Sequence, residues 1–406
     1  MSIKVKIIND PVYGFIRFPE PELMQIIDHP WFQRLRHIKQ MGMAHLIYPG
    51  AVHSRFHHSL GACHLMGKAI DELKAKGIFP DNEECLSARM AALLHDIGHG
   101  PFSHSLENIL VGIRHEVISK LIMHRLNVQY GGLLTNAIKI FDNSYSKKYL
   151  HQLVSSQLDV DRMDYLNRDS FYTGVSEGVI GYDRILQMLT VNNDELLVEE
   201  KGVYSVEKFI IARRLMYWQV YLHKTVLGAE LLLINIFKRA KELATFGEDL
   251  FASPALKYFL YKNLSEQDFQ NNPEHLDVFC QLDENDLMVS IKVWQTHNDK
   301  ILSTLCKMLI LRKLYKVLLS SKSLASFLQE KKEEGMFRLE MNENQLHYFI
   351  FDGVTSNSTY NINDELIKIE TKSGLIKNIT EIDDSLVNQT LARAVHKNYI
   401  CYVSYK

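Results

Sequence analysis

A histidine followed directly by an aspartate, His95-Asp96, is the feature of this sequence best suited to chemistry. The pair ends the apolar run 90–94, which predicts a packed helix that holds both side chains rigidly. An imidazole nitrogen beside a carboxylate oxygen suits binding to one metal ion. The dipeptide alone could arise by chance. However, twelve of the eighteen histidines fall between His29 and His124, and this clustering favours a metal site.

Two further residues complete a set of four candidate ligands: His58 lies upstream of the pair and Asp161 lies downstream. Two imidazoles and two carboxylates suit manganese, iron, zinc or magnesium, and they leave positions open for water and substrate. Such a divalent ion neutralises phosphoryl oxygens and lowers the pKa of bound water to about 7. The alternative is that the four are ordinary core polar residues with satisfied hydrogen bonds.

A second polar group follows the His-Asp pair and consists of His99, His104, Glu107 and His115. A histidine oriented by a carboxylate is a standard general acid or base, because its pKa of about 6.5 lies near neutral pH. The glycines at 98 and 100 do not indicate a phosphate loop. They follow a helix rather than a strand, and the other residues of the dinucleotide-binding and P-loop glycine motifs are missing.

Arginines, tyrosines and one aspartate lie beside these motifs or repeat at helical spacing with them. They are Arg55, Arg162, Tyr165, Asp169, Arg213, Tyr217 and Tyr221. Residues four apart share a helix face. Arginines aimed at a metal site indicate an anionic, polyphosphate substrate, while the tyrosines and Asp169 suit a sugar and a base. For Arg213 and Tyr217, spacing alone favours a surface arginine and a core tyrosine instead.

Length, charge and cysteine usage place the chain among ordinary globular proteins. Its 406 residues exceed one typical domain, and its net charge of -2 gives no global basic field for nucleic acid. Five dispersed cysteines without a CxxC pair fit reduced thiols in a cytoplasm. We expect a cytoplasmic protein with no membrane partner, because no run approaches about 18 apolar residues and the start has no signal-peptide core.

The hydrophobic pattern predicts a mainly α fold with a small α+β part at the C-terminus. The predicted elements are a hairpin of 4–8 with 14–18, helices at 59–76, 83–95, 115–126 and 148–156, a long helix at 205–243, a helical stretch at 282–332, and strands at 346–351, 366–372 and 399–403. Gly335 is the expected stop of the last helix. We therefore predict a helical domain over residues 1–335 and an α+β domain over 336–406.

These motifs together resemble the HD-domain deoxynucleoside triphosphate (dNTP) triphosphohydrolases of animals and bacteria, dGTPases among them. The matching segments within roughly residues 4–230 are 6–11, 32–40, 48–51, 55–61, 95–104, 159–169 and 221–224. Their order is highly specific for the superfamily and less specific for the substrate. The resemblance implies a helical bundle with its HD core at about 51–170. It also implies hydrolysis of a dNTP to a deoxynucleoside and inorganic triphosphate.

The resemblance assigns a role to each matching position. It implies metal ligands at His58, His95, Asp96 and Asp161, and catalytic residues at His99, Glu107 and His115, with His115 protonating the leaving 5′ oxygen. Substrate-binding residues are Gln40, Arg55, His104, Arg162, Tyr165, Asp169, Arg213 and Tyr221. A regulatory nucleotide site between subunits matches Lys6, Asp28, Gln33, Arg36 and Lys224. That site predicts activation by GTP or a dNTP and a homo-oligomer, either a tetramer or a dimer.

Three positions depart from the family pattern. The glutamate expected before the first ligand is His57, which could change the tuning of the metal. An aspartate is replaced by Glu107 and a lysine by Arg162, which conserve charge but differ in reach. Beyond residue 240 nothing aligns, so the resemblance assigns no role there.

Two alternative functions stay open. An HD phosphohydrolase or phosphodiesterase acting on another nucleotide phosphate ester, such as a nucleoside monophosphate or a cyclic nucleotide, would share most of these motifs. A nucleotide sensor or single-stranded nucleic-acid-binding module is the other alternative. The intact ligand set argues against an inactive sensor and the near-neutral charge against strong nucleic-acid binding, although a local basic patch at an oligomer interface would permit it.

Overall fold

The computed structural model describes residues 5–357, 360–361, 365–383, 385–387 and 394–404. The described residues form nineteen α-helices: α1 (Pro21–Ile27), α2 (Pro30–Gln33), α3 (Arg55–Ala75), α4 (Asn82–Leu94), α5 (Ser103–Leu106), α6 (His115–Gln129), α7 (Thr135–Phe141), α8 (Lys148–Val154), α9 (Val160–Thr173), α10 (Tyr182–Met188), α11 (Val203–Met216), α12 (Lys224–Thr245), α13 (Pro254–Tyr261), α14 (Glu266–Asn271), α15 (Pro273–Phe279), α16 (Glu284–Trp294), α17 (Lys300–Ile310), α18 (Ala325–Leu339) and α19 (Glu343–Leu346). They also form nine strands: β1 (Lys6–Asp10), β2 (Gly14–Phe18), β3 (Leu189–Asn192), β4 (Glu195–Glu199), β5 (Lys316–Ser320), β6 (Phe351–Asn357), β7 (Lys368–Glu370), β8 (Ile376–Asn378) and β9 (Val395–Tyr402). The predicted mainly α fold with small sheets toward the C-terminus is confirmed.

Helix α3 is the centre of the helical body and packs against α4 and α9. Its buried face carries Leu60, Leu65, Met66 and Ile70, all at most 2% exposed. Helix α4 presents an equally buried stretch that ends at Leu94, directly before the His-Asp pair. These three helices therefore share one apolar core, and the core holds the polar motifs at its edge.

Three antiparallel or mixed sheets flank the helices. The first is the predicted hairpin, in which β1 pairs with β2 with Lys6 opposite Phe18. In the second, β7 runs parallel to β4, with Val198 opposite Ile369. In the third, β9 lies between β5 and β6. C-terminal strands thus complete sheets that begin in the helical body, and the domain boundary at 335/336 stays a prediction.

The long helix predicted over 205–243 is interrupted in the structure. Helix α11 continues into a π-helical turn at Tyr217–Tyr221, and α12 then starts afresh behind His223, whose side chain accepts a hydrogen bond from Thr225 N. Among the described residues no single helix has the length and apolar character of a membrane span. One pair, Glu200–Tyr221 with Lys224–Thr245, meets that description only when joined across a 59° bend.

Three other predicted elements are wrong in part. The stretch 282–332 is not helical throughout, because β5 forms within it by pairing with β9. Gly335 does not stop α18, which continues to Leu339 and ends at Glu340 with a φ of 52°. The strand predicted at 346–351 starts only at Phe351, since Asn342 and Gln345 form a reciprocal helix cap and fold the preceding residues into α19.

Candidate metal centre and active site

Nitrogen and oxygen atoms of three predicted ligands, His58, His95 and Asp161, converge on one point, and Asp96 borders this group between it and His99. His58 Nε2 lies 3.2 Å from His95 Nε2 and 3.1 Å from Asp161 Oδ1, and the last two atoms are 3.5 Å apart. Asp96 places its carboxylate oxygens 3.6 Å from His58 Nε2 and 3.4 Å from His95 Nε2. Ligands about 2.1 Å from one ion are separated by roughly 3.0–3.5 Å along the edges of its coordination polyhedron. The spacing therefore fits a single divalent metal ion.

Both imidazoles are oriented with Nε2 toward this point. His95 Nδ1 lies 2.7 Å from the carbonyl oxygen of Ala92, and His58 Nδ1 lies 2.7 Å from Asp164 Oδ2. A histidine whose Nδ1–H donates to an oxygen keeps the Nε2 lone pair free for a metal. Each Nδ1 thus has an oxygen partner, and each Nε2 is directed toward the shared point.

The turn that carries the His-Asp pair is clamped from two sides. Ser119 Oγ donates to His95 O and accepts from Gly98 N, both at 2.9 Å. Arg34 Nη2 donates to the carbonyl oxygens of Ile97 and His99 at 2.8 and 3.0 Å. Residue 98 must be glycine because a Cβ there would lie 2.2 Å from the backbone oxygen of His115.

The electrostatics of the cluster favour a bound cation. Burial alone lowers the pKa of His58, but hydrogen bonds with Asp161 and Asp164 outweigh it and raise that pKa to about 10. Burial alone raises the pKa of Asp96, while His95, His99 and Arg55 hold it well below its ordinary value. The carboxylates therefore stay ionised and together draw a positive charge to the site, which a divalent metal ion supplies.

We call His58, His95, Asp96 and Asp161 the metal-type cluster. The second polar group contacts this cluster through Asp96. His99 Nε2 lies 3.2 Å from Asp96 Oδ1, and its ring stacks on that of His115 with centroids 3.7 Å apart. His104 lies edge-on to both rings, at 5.2 and 5.6 Å. The structure therefore brings these three histidines together, as the resemblance implies.

Glu107 orients His115. It opens a π-helical turn, Glu107–Val111, and its Oε1 accepts from His115 N at 2.5 Å and lies 3.3 Å from His115 Nδ1. Burial alone raises the pKa of Glu107, but hydrogen bonds from His115 lower it. The longer glutamate thus reaches the imidazole from its Nδ1 side, and in the described part of the chain Nε2 accepts or donates no hydrogen bond.

The predicted sugar and base residues form a neighbouring wall. Tyr221 Oη donates to Asp169 Oδ2 at 2.8 Å, and its ring lies edge-on to Tyr165 and Tyr217 at 6.3 and 5.2 Å. The π-helical turn that ends α11 presents Tyr217 and Tyr221 to this wall. The three tyrosines thus lie side by side, and Tyr217 is half-buried rather than part of the buried core that its spacing favoured.

Three arginines near this region differ in their hydrogen-bond partners. Arg55 Nη1 donates to Asp96 Oδ2 at 2.5 Å, and Arg162 pairs with the buried Asp159. Burial raises the pKa of the Tyr165 hydroxyl, and the charge of nearby Arg213 opposes part of that rise. Within the described residues, the buried Nε atoms of Arg213 and Arg162 have no hydrogen-bond partner. The same is true of the buried acceptor Oε1 of Gln40. The two unmet arginine donors suit an anionic ligand.

Two polar residues that contact the candidate site residues were missed from the sequence. Asp164 bonds the metal-ligand candidate His58, and His53 Nε2 lies 2.7 Å from Asp169 Oδ1. A signal for Asp164 existed, since it lies four residues before Arg168 on a helix and such pairs meet. His53 had none, because its partner is 116 positions away.

The residues matched to a regulatory site are only partly brought together. Gln33 Nε2 donates to the carbonyl oxygen of Ile27, beside Asp28, and Gln33 Oε1 accepts from Arg36 Nε, both at 2.7 Å. In the described part of the chain neither Lys6 nor Lys224 forms a hydrogen bond or ion pair with these residues. Within the described residues, Gln33 and Arg36 are therefore held together, and the two lysines make no polar contact with them.

Comparison with known proteins agrees with this geometry. The HD domain family matches residues 55–169, and the HD associated region matches residues 180–246. The uncharacterized protein YwfO of Bacillus subtilis is 36% identical over 320 residues, which cover 76% of this chain and 71% of that protein. The uncharacterized protein MG461 of Mycoplasma genitalium is 30% identical, and the match covers 92% of each chain.

Two further relatives have descriptive names. The deoxynucleoside triphosphate triphosphohydrolase SAMHD1 of Bos taurus is 30% identical over 284 residues, which cover 59% of this chain and 48% of that protein, so the match spans about half of SAMHD1. A crystal structure of a phosphohydrolase from Bacteroides thetaiotaomicron superposes with a TM-score of 0.94 at 49% identity, covering 99% of this chain and 100% of that one. With an HD domain around its His-Asp pair and these full-length matches, the chain belongs to the HD-domain phosphohydrolases, a family that includes dNTP triphosphohydrolases.

Proposed function

We propose that this phosphohydrolase cleaves a dNTP between the 5′ oxygen and the α-phosphorus, releasing a deoxynucleoside and inorganic triphosphate. The observation that carries the proposal is the layout of α9. Its first turn bears Asp161 of the metal-type cluster, and Tyr165 and Asp169 follow on the same face. At 1.5 Å per residue they lie about 6 and 12 Å further along the axis. That separation suits a nucleotide lying along the helix with its phosphate at the metal and its sugar and base beyond.

The residues that would hold the metal are His58, His95, Asp96 and Asp161. When bound, a divalent ion such as manganese, iron, magnesium or zinc would neutralise phosphoryl oxygens and supply an activated water. Arg55, Arg162 and Arg213 would bind the triphosphate, since guanidinium groups pair with phosphate in a fork geometry. The buried, unpartnered Nε atoms of Arg162 and Arg213 support this role.

The imidazole group would carry the proton transfers. Water adds to the α-phosphorus and loses a proton, while the 5′ oxygen leaves and gains one. We assign the second transfer to His115, because Glu107 holds its Nδ1 side and Nε2 has no hydrogen-bond partner among the described residues. His99 and His104 would lie beside His115 in the same group of imidazoles. The residues that would surround the sugar and base are Gln40, Tyr165, Asp169 and Tyr221.

We also propose a regulatory nucleotide site at an interface between copies of the chain. The strip of Asp28, Gln33 and Arg36 would bind GTP or a dNTP together with Lys6 and Lys224, and one or both lysines would come from another subunit. The contact between Gln33 and Arg36, and their match to the family's regulatory positions, support this arrangement. A homo-oligomer, tetramer or dimer, follows from the proposal, and a cytoplasmic location fits the free cysteines.

Product analysis tests the proposed reaction. The purified protein would be incubated with Mn²⁺ or Mg²⁺ and each dNTP, alone and in pairs, with Asp96→Ala as the control. We expect deoxynucleoside and intact triphosphate, lost in Asp96→Ala, and a need for a second nucleotide if the regulatory site exists. Orthophosphate, pyrophosphate or no turnover of any dNTP would overturn the proposal and favour another nucleotide phosphate ester.

A further inference from the structure

We infer that Asp164, Arg168 and Asp10 form a buried chain of charges that positions the metal ligand His58 and couples metal affinity to the N-terminal hairpin β1–β2. The inference rests on the proposed metal site and is independent of which nucleotide is hydrolysed. It gives a role to the segment 6–11, which the proposed reaction does not use.

The chain begins at the metal ligand. Asp164 Oδ2 lies 2.7 Å from His58 Nδ1, and both side chains are fully buried. Arg168 Nε and Nη2 donate to the two carboxylate oxygens of Asp164, each at 2.9 Å. This two-pronged geometry fixes the plane of the carboxylate and with it the ring of His58.

The third guanidinium nitrogen of Arg168 contacts the hairpin. Arg168 Nη1 donates to Asp10 Oδ2 at 2.8 Å, and the two side chains are 0% and 2% exposed. The other oxygen of Asp10 accepts from Val12 N at 2.9 Å and from Tyr13 N at 3.0 Å, which closes the turn between β1 and β2. The conformation of that turn and the position of Arg168 are therefore set by one carboxylate.

The surrounding packing leaves the chain little freedom to move. Gly61 lies one helical turn after His58 on α3, and a Cβ there would lie 1.9 Å from Asp164 Oδ1 and 2.3 Å from Arg168 Nη2. The guanidinium also lies 5.4 Å from the centroid of the Tyr13 ring. A shift at the hairpin turn must therefore be passed on to Asp164 rather than absorbed by empty space.

The charges determine the direction of the effect. Asp164 accepts the Nδ1 proton of His58 and so keeps Nε2 available as a ligand. Asp10 shares the positive charge of Arg168. Without the ion pair to Asp10, Arg168 would interact more strongly with Asp164. The Asp164 carboxylate would then be a weaker hydrogen-bond acceptor for His58. Loss of the Asp10 charge should therefore weaken metal binding, and by reciprocity metal binding should stabilise the hairpin turn.

Metal affinity tests this inference without any substrate. The full chain is stripped of metal, and Mn²⁺ binding is measured from the electron paramagnetic resonance signal of the free ion. We expect Asp164→Asn to weaken Mn²⁺ binding about 10- to 100-fold. Asp10→Asn should weaken it by a smaller factor, about 2- to 30-fold. Arg168→Lys, which keeps the charge but loses the fork, should also weaken it and serves if Asp164→Asn does not fold.

Asp299→Asn is the matched control. Like Asp10, Asp299 accepts from a backbone N–H, that of Leu302, and pairs with an arginine, Arg239, both at 2.7 Å. None of these partners belongs to the metal-type cluster, so the variant should lose stability but bind Mn²⁺ as the wild type does. Unchanged Mn²⁺ affinity in folded Asp10→Asn would overturn the inference. Tight Mn²⁺ binding without dNTP hydrolysis would overturn only the proposed function.

Discussion

Replacing Gly61 by alanine should cost more stability than a helix position normally allows, because the new methyl group meets a buried ion pair. Ordinary contacts begin at 3.4 Å, so a Cβ that lies 1.9 Å from Asp164 Oδ1 requires a shift of about 1.5 Å. A carboxylate shift of that size breaks the hydrogen bonds to His58 and Arg168. Breaking a buried pair costs about 3–5 kcal/mol, and the helix propensity of alanine returns about 1 kcal/mol. We therefore expect a net loss of about 2–4 kcal/mol.

Gly67→Ala is the control on the same helix. A Cβ at residue 67 would lie 3.5 Å from Arg89 Nε, an ordinary contact. This variant should gain up to about 1 kcal/mol from helix propensity alone. The free energy of unfolding of both variants would be measured by urea titration followed by circular dichroism. If Gly61→Ala were as stable as Gly67→Ala, the packing around Asp164 would not be tight, and the reasoning about the buried chain would be wrong.

Three further outcomes are expected. Burial raises the pKa of Glu230 from 4.5 to about 7, so the folded state favours its protonated form. Stability is then lost as pH rises from 4.5 to 7, and Glu230→Gln should stabilise the protein by about 3 kcal/mol at pH 8 and not at pH 4.5, as thermal melts at both pH values would show. Arg213→Ala should lower kcat/KM for a dNTP roughly 10- to 100-fold by removing a charged hydrogen-bond donor, while Arg213→Lys should lose less in the same steady-state assay. Mn²⁺ at 100 times its Kd should stabilise the wild type by about 2.7 kcal/mol in a thermal shift, and Asp161→Asn should abolish the effect.

Local sequence spacing was enough to predict the elements that carry the site. Helix α4 was predicted at 83–95 and spans Asn82–Leu94, and the hairpin was predicted within two residues of its observed ends. Both depend on residues close together in sequence, namely an apolar run with a cap and two alternating segments around an Asp-Pro turn. The four ligand candidates likewise carry their chemistry in their residue types. The structure adds that His58, His95 and Asp161 converge on one point and that Asp96 lies beside them.

The strand β5 shows why other elements could not be predicted. Its residues 316–320 are apolar enough to continue the helical pattern, and they become a strand only because β9, some 80 residues later, supplies the hydrogen-bond partners. The same dependence on remote partners hides His53 and Asp10 from spacing arguments. Asp10 contacts Arg168 across 158 positions, and nothing near either residue indicates the other.

The position of Asp10 also bears on how such an enzyme could be regulated. Lys6, matched to the regulatory site, and Asp10 lie at opposite ends of the same five-residue strand. A ligand that held β1 in place would reduce the freedom of the turn that Asp10 closes, and the buried chain would pass that constraint to His58. The coupling needs no movement of the catalytic residues themselves, only a change in how firmly one metal ligand is held. On this reasoning an activating nucleotide should tighten Mn²⁺ binding in the wild type and lose that effect in Asp10→Asn.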